Sequence, residues 1–232
     1  MGSEIKVDVW SDIACPWCYI GKRKFERGAA EFAAGGDDRT VTVEFHSFEL
    51  SPDTPVDFDG SEADFLAGHK GLAPDQVERM LEHVASVAAS VGLEYDFDAV
   101  KHTNTVKAHE LLHYAKRHGK QLEMTERLMK AYFTEGRHVG RVEDLADLAA
   151  EVGLDRDEVV RSLESGEHLP AVRADQRQAE ELGVRGVPFF VIDRQYGVSG
   201  AQEAETFAQV LEQVWGMRTE QDEADDPAAA RV

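Results

Sequence analysis

Cys15 and Cys18 are the only cysteines of the chain, and they flank Pro16 and Trp17 directly after the apolar run Ile5-Lys6-Val7-Asp8-Val9-Trp10. Two thiols three positions apart, at what reads as a strand-to-helix junction, form the residue set of a dithiol/disulfide redox centre. At the start of a helix the unpaired N–H groups and the positive end of the macrodipole favour an anion, so Cys15 is expected to be the attacking thiolate. Pro16 suits the first turn, having no N–H to leave unpaired and a φ that is already helical. Cys18, one turn deeper, is then the resolving thiol. A structural staple is the poorer reading, because closing so short a loop removes only about 2 kcal/mol of unfolded-chain entropy, against about 5 for a loop of roughly 100 residues. A zinc site would need a second pair of ligands that a single Cys-x-x-Cys does not supply.

The rest of the chain must position these thiols. A strand is expected at about 5–10, a helix at about 16–34 closed by the turn Gly35-Gly36-Asp37-Asp38, and a strand at 41–45, where Val41, Val43 and Phe45 alternate with polar residues. The order strand, helix, strand predicts a parallel pair. From Ser51 to about Gly183 the pattern becomes helical, with cores expected at 74–91, 104–118, 121–135, 142–152, 155–164 and 170–182. Strand character returns at 187–193 and 196–200, read as an antiparallel hairpin. Phe189 and Phe190 are expected in its core. Ser199 is a candidate cap for a last helix at about 203–215. The tail from Arg218 on is acidic and Ala-rich, and is expected to be disordered.

A second motif bears on the chemistry. Gly186-Val187-Pro188-Phe189-Phe190 places a proline where a strand opens, ordinary by itself but significant together with an upstream strand, Cys-x-x-Cys and helix. In that combination it resembles the cis-proline loop of thioredoxin-fold enzymes, which implies that Val187 pairs with an extended substrate as an added strand. With Ser11-Asp12, Asn104-Thr105, Ala108-His109 and Ser199-Gly200-Ala201-Gln202 included, residues 5 to 215 resemble the DsbA-like branch of the thioredoxin superfamily, most closely its FrnE-type members, related to 2-hydroxychromene-2-carboxylate isomerases. The resemblance implies an α/β, thioredoxin-like fold with a large all-helical insertion. On that basis the thioredoxin-like domain is expected at 1–58 and 183–217, the helical insertion domain at 59–182 and the acidic tail at 218–232.

It also implies catalytic Cys15 and Cys18, with Pro16, Trp17, Val187, Pro188, His109 and Asn104 contacting substrate. Two departures matter. Trp17 stands where the periplasmic relatives have His, and an uncharged ring cannot stabilise a thiolate through positive charge, so a less oxidising centre is expected; 30 mV corresponds to about 1.4 kcal/mol. The isomerase relatives usually carry Ser in place of the first Cys, and both thiols here favour redox chemistry.

His109-Glu110-Leu111-Leu112-His113 matches the zinc-protease pattern His-Glu-x-x-His on a helix. With Lys116 and Gly119 where the extended motif needs Gly and His, the match is read as fortuitous. Ala108, Leu111, Leu112 and Ala115 make the apolar stripe, which leaves His109 and His113 on its polar flank as surface or cleft residues. Asp12 is read as a loop carboxylate or a modulator of the thiols, and Trp17 as an apolar wall for substrate or a packing residue.

Composition narrows the partners. In 232 residues, 45 acidic side chains face 25 basic ones, a field that repels phosphate backbones and anionic lipids. Neither nucleic acid nor a membrane is expected as a partner, and no stretch approaches the roughly 20 apolar residues of a membrane span. Met1-Gly2-Ser3-Glu4-Ile5-Lys6 has neither a basic nor an apolar leader region, so the chain reads as cytoplasmic. The expectation is a thiol-disulfide oxidoreductase or disulfide isomerase, with no cofactor and no metal, acting on a disulfide-containing protein or a low-molecular-weight thiol; self-association into a homodimer is compatible with it. The alternatives are a thiol-dependent isomerase or tailoring enzyme for a small aromatic or quinone-like molecule, and a peptide-binding holdase that would not need the thiols.

Overall fold

The computed structural model describes residues 4–36 and 39–225. β1 (Glu4–Ser11), α1 (Pro16–Ala33) and β2 (Thr40–Ser47) open the chain. β1 and β2 pair in parallel from Glu4↔Thr40 to Ser11↔Ser47, as expected. Asp37 and Asp38 of the expected intervening turn lie outside the described residues. Seven helices follow: α2 (Glu62–Lys70), α3 (Pro74–Ser90), α4 (Val106–Arg117), α5 (Gln121–Phe133), α6 (Val142–Glu151), α7 (Arg156–Ser165) and α8 (Leu169–Glu181). The chain then returns to the sheet through β3 (Phe189–Ile192) and β4 (Tyr196–Ser199) and ends in α9 (Ala204–Asp225). β3 pairs antiparallel with both β1 and β4, giving the order β2-β1-β3-β4. The expected α/β architecture with a long helical insertion is therefore present.

The period of two along β1 divides its side chains between two cores. Ile5, Val7 and Val9 pack with Phe25 and Phe32 of α1, Phe190 and Ile192 of β3, and Phe207, Leu211 and Val214 of α9. Trp10 faces the other way, onto Ala179, Val184 and Val191, and its indole N–H donates to the Asp175 carbonyl at 3.0 Å. The remaining large core belongs to the helices, and Ile13, Cys15, Cys18, Tyr19 and Ile20 join it. The dithiol thus sits on the seam where the sheet layer meets the helices.

Two close approaches fix that seam. A Cβ on Gly28 would lie 2.4 Å from the Ala204 carbonyl oxygen, so α1 and α9 need a glycine there. A Cβ on Gly21 would lie 2.8 Å from Cγ of Pro188, so the absent side chain lets the proline loop close onto α1.

Three expectations need correction. α2 is absent from the expected series, although Ser61 and Asp64 form a reciprocal capping box and Gly71 closes the helix at φ 63°. Its apolar residues are too few for a helical period to stand out. Ser199 ends β4 and its carbonyl accepts from the Gln202 amide at 2.8 Å; α9 starts at Ala204, so Ser199 does not cap it. Finally, the helical backbone runs through the start of the expected disordered tail to Asp225. Arg218 accounts for its continuation past 217: the guanidinium donates to Asp193 at 2.7 Å and to the Glu4 carbonyl at 2.6 Å, tying the helix to the sheet. Residues 226–232 of that tail lie outside the described residues. No helix among the described residues is long and apolar enough to cross a membrane.

Candidate active site at the helix seam

Cys15 occupies the N-cap of α1 with extended backbone and Pro16 opens the first turn, so the helix begins on the sulfur-bearing residue, as the spacing predicts. Both thiols are free and buried. The Cys15 thiol donates to the Val187 carbonyl across 3.7 Å, and the Val187–Pro188 bond is cis. The Gly200 N–H holds that loop from the far side through the Pro188 carbonyl at 2.8 Å. Above the helix start, the Tyr95 hydroxyl donates to the Pro16 carbonyl at 2.8 Å. Trp17 is the exposed member of the motif, 36% accessible, tilted against His83 with ring centroids 6.5 Å apart.

Cys18 is the more deeply buried of the two. Burial pushes its thiol well above the ordinary range, and the hydrogen bond and charge of Cys15 push it further, against the Ser11 side chain and the Asp12 backbone, which favour the thiolate.

Asp12, three residues before Cys15, is fully enclosed. Burial alone would raise its carboxyl, but the hydrogen bond and charge of His109, the Leu50 N–H at 2.8 Å and the Thr105 hydroxyl overcome it and hold the group below the usual carboxylate range. His109 Nε2 lies 3.3 Å from Asp12 Oδ1, and His109 is only 1% exposed. The expectation of a surface or cleft histidine on the polar flank of α4 is thus corrected: the flank packs against the loop after β1. His113, one turn on, is bonded instead to Asp175 at 3.0 Å, so the two histidines of the His-Glu-x-x-His match turn to different carboxylates. Among the described residues, Asp8, Glu44 and His46 do bring ligand atoms within 4.8 Å of one another. Lys6 already bridges both of those carboxylates, at 3.0 and 3.1 Å.

Beside Cys15 opens a cleft of about 310 Å³. Cys15, Pro16 and Trp17 form one wall, Leu50 and Ser51 another, and α2 and α3 contribute Phe65, Leu66, Met80 and Val84. Glu62, His102, Thr103 and Thr105 are among the polar residues of its lining, with Asp12, His69, Lys70 and His83. Of the residues expected to contact substrate, Val187 and Pro188 therefore flank Cys15 on the sheet side, Pro16 and Trp17 face the cleft, and His109 lies beneath through Asp12. Asn104 stands apart. Its amide donates to the Pro52 carbonyl at 2.8 Å and its oxygen accepts from the Val106 N–H at 2.9 Å, which fixes the loop leading into α4. Glu62, Phe65 and His102 were not expected, and the Ser61-x-x-Asp64 signature was the sequence signal that could have placed the first two on a helix.

Comparison with known proteins agrees with this geometry. The model of the DSBA-like thioredoxin domain matches residues 6–212. The uncharacterised protein YwbO of Bacillus subtilis (strain 168) is 31% identical over 190 residues, covering 81% of this chain and 86% of that protein. The crystal structure of the probable DsbA oxidoreductase SCO1869 from Streptomyces coelicolor is 40% identical and superposes with a TM-score of 0.84 over 91% of this chain and 90% of that one. The cytosolic disulfide reductase DsbM from Pseudomonas aeruginosa, 18% identical, shares the fold with a TM-score of 0.62 over 91% and 98% of the two chains.

Proposed function

Because the chain belongs to the DSBA-like thioredoxin domain family, we propose that it is a thiol-disulfide oxidoreductase in which Cys15 attacks and Cys18 resolves. The observation that carries this reading is the placement of the Cys15 thiol at the N-terminus of α1, 3.7 Å from the Val187 carbonyl of the cis-proline loop and open to a cleft on its other side.

The Cys15 thiolate attacks one sulfur of a substrate disulfide, forms a mixed disulfide and expels a thiolate, which takes a proton. Cys18 then loses its proton and attacks the Cys15 sulfur. The second substrate thiol leaves, and the chain holds the Cys15–Cys18 disulfide. Two electrons pass from the dithiol to the substrate, and a low-molecular-weight thiol or a reductase restores the dithiol. With a cytoplasmic setting as part of this reading, the dithiol is the resting form, and reduction or isomerisation is the net direction. The division of labour follows the same reading: residues 1–58 with 183–217 act as the thioredoxin-like unit that carries the thiols, and the insertion at 59–182 shapes what can reach them.

The test is turnover of a protein disulfide and of glutathione disulfide with a thiol reductant. Cys15→Ala should abolish both reactions, and Cys18→Ala should accumulate a mixed disulfide on Cys15 visible by mass. Full turnover in Cys15→Ala overturns the reading.

A further inference from the structure

Ser11 carries a buried hydroxyl for which the fold itself has no use. The residue ends β1, paired with Ser47 across the ladder, and the Phe48 N–H donates to its carbonyl at 3.1 Å, so its backbone is held. Its side chain shares the parity of Ile5, Val7 and Val9 and therefore points to the α1 face of the sheet. There Ser11 is 4% exposed, and its Oγ has no hydrogen-bond partner among the described residues. A buried hydroxyl left unpaired costs free energy that an alanine in the same place would not. An exception of this kind calls for a reason.

The neighbouring sulfur supplies it. Cys18, in the first turn of α1, is 1% exposed. Burial and the adjoining Cys15 oppose its thiolate, whereas the Ser11 side chain beside it favours that form. As a neutral thiol, Cys18 is only a weak donor and a weak acceptor, and it leaves the hydroxyl unsatisfied. As a thiolate it is a charged acceptor in surroundings of low dielectric, where a hydrogen bond from a hydroxyl is worth most.

We propose that Ser11 is a catalytic residue of the resolving step: its hydroxyl donates to the Cys18 sulfur as that sulfur loses its proton and attacks the Cys15 mixed disulfide. The proposal rests on Cys15 attacking and Cys18 resolving, and it adds the group that lowers the barrier of the second step where burial raises it. In that step the bond between Cys15 and the substrate sulfur breaks and the Cys15–Cys18 bond forms. The expelled substrate thiolate takes up a proton for the one that Cys18 has released. Ser11 keeps its own proton throughout, so it acts as a donor and not as the base. Removing the hydroxyl should therefore slow resolution without weakening the fold, which separates this role from a structural one.

The test mixes the reduced chain with one equivalent of 4,4′-dithiodipyridine and follows release of the two pyridine thiols by stopped-flow absorbance. The first release reports attack by Cys15 and the second reports resolution by Cys18. Ser11→Ala should leave the first phase within about twofold of wild type and slow the second by about tenfold, as expected for losing a hydrogen bond to a charged group. Ser11→Thr, which keeps a hydroxyl, should restore the second phase at least in part. In urea denaturation of the reduced proteins, Ser11→Ala should be as stable as the wild type or more so. An unchanged second phase in Ser11→Ala overturns the proposal, and so does an equal slowing of both phases together with a loss of stability, which would mark the hydroxyl as structural. Alanine fits within the volume of serine and leaves the backbone bonds in place, so Ser11→Ala carries the comparison if Ser11→Thr overfills the site. A wild-type chain with no first phase, or with a first phase and no second, sinks the assignment of Cys15 and Cys18 themselves, an outcome read before any variant of Ser11 is made.

Discussion

His109 and His113 stand one turn apart on α4, and each gives its Nε2 to an aspartate from outside the helix, yet the two pairs do different work. His109 meets Asp12 in a pocket almost free of solvent, with Cys18 against the Asp12 backbone. Its Nδ1 is left without a partner. His113 meets Asp175 in a network that is well supplied: Asp175 also accepts from the Ser47 N–H at 2.8 Å and pairs with His46 at 3.0 Å, and the Ser47 hydroxyl lies 3.2 Å from His113. His46 in turn stacks on Trp10 with centroids 4.5 Å apart and reaches Asp8 at 2.8 Å. The first pair lies beside the cysteine motif and tolerates an unpaired atom. The second ties β2, α4 and α8 together. A spacing of four residues puts two histidines on one helix face; what that face meets decides whether they support a fold or a reaction.

The largest effect expected from separating the two pairs is on stability. Asp175→Ala removes the shared partner of two partly buried histidines and should cost about 3 kcal/mol, the low end of the range for breaking a buried pair, measured by urea denaturation. Alkylation of Cys15 in the folded variant should proceed at the wild-type rate. A slowed alkylation would join the two clusters into one unit and break the comparison.

At the other pair the effect should be chemical. His109→Leu removes the leading influence that keeps the Asp12 carboxyl below its usual range despite burial, so Asp12 should titrate upward. Resolution of a Cys15 mixed disulfide should then acquire a pH dependence in the carboxylate range that the wild type lacks, at a stability cost of about 1–3 kcal/mol for the carboxylate left one donor short. Rapid-quench mass spectrometry of the mixed disulfide across pH reads it. An unchanged profile would reduce Asp12–His109 to packing.

The motif and the strands were legible in the sequence because their signals are local. Alternation marks Val41, Val43 and Phe45, the apolar run marks β1, and Cys15-Pro16-Trp17-Cys18 marks the start of α1. The parallel and antiparallel pairings followed from element order. The cleft was not legible, because Leu50, Phe65, Val84 and His102 come from separate segments and only the packing of α2 and α3 brings them to Cys15. His109 was misplaced for the same reason. Helical periodicity ranks it as polar flank, and nothing in α4 itself says that Asp12, 97 positions away, closes over it. Arg218 shows the converse case, in which a few long-range bonds give order to a residue whose surrounding composition argues for disorder.

The second cluster should also show itself as a stability profile. Burial would lower the His46 imidazole, but Asp175 and Asp8, with the charge of Glu44, raise it above its ordinary value. Its contribution is then fully present below the ordinary imidazole range and lost as pH rises through the raised value. Asp175 runs the other way. Its carboxyl is held well below the ordinary range, against burial, by His113, His46 and the Ser47 N–H, so its contribution is present above that range and lost as pH falls. The stability difference between wild type and His46→Gln should therefore peak in mildly acidic solution and shrink on both sides, as read by denaturation at a series of pH values. A difference independent of pH would mean that His46 acts through its stacking on Trp10 alone.

The smallest expected effect tests how redundant the structural cluster is. Ser47 contributes both its backbone N–H, to Asp175, and its hydroxyl, near His113. Ser47→Ala deletes only the second. Because His113 Nε2 keeps Asp175 as a partner at 3.0 Å, no buried group is orphaned, and the loss should be about 1 kcal/mol or less. The rate of Cys15 alkylation should not move. A loss as large as that of Asp175→Ala would mean that the hydroxyl sets the orientation of the His113 ring, and the cluster would then be as sensitive to a single missing contact as the sparsely bonded pair beside the thiols.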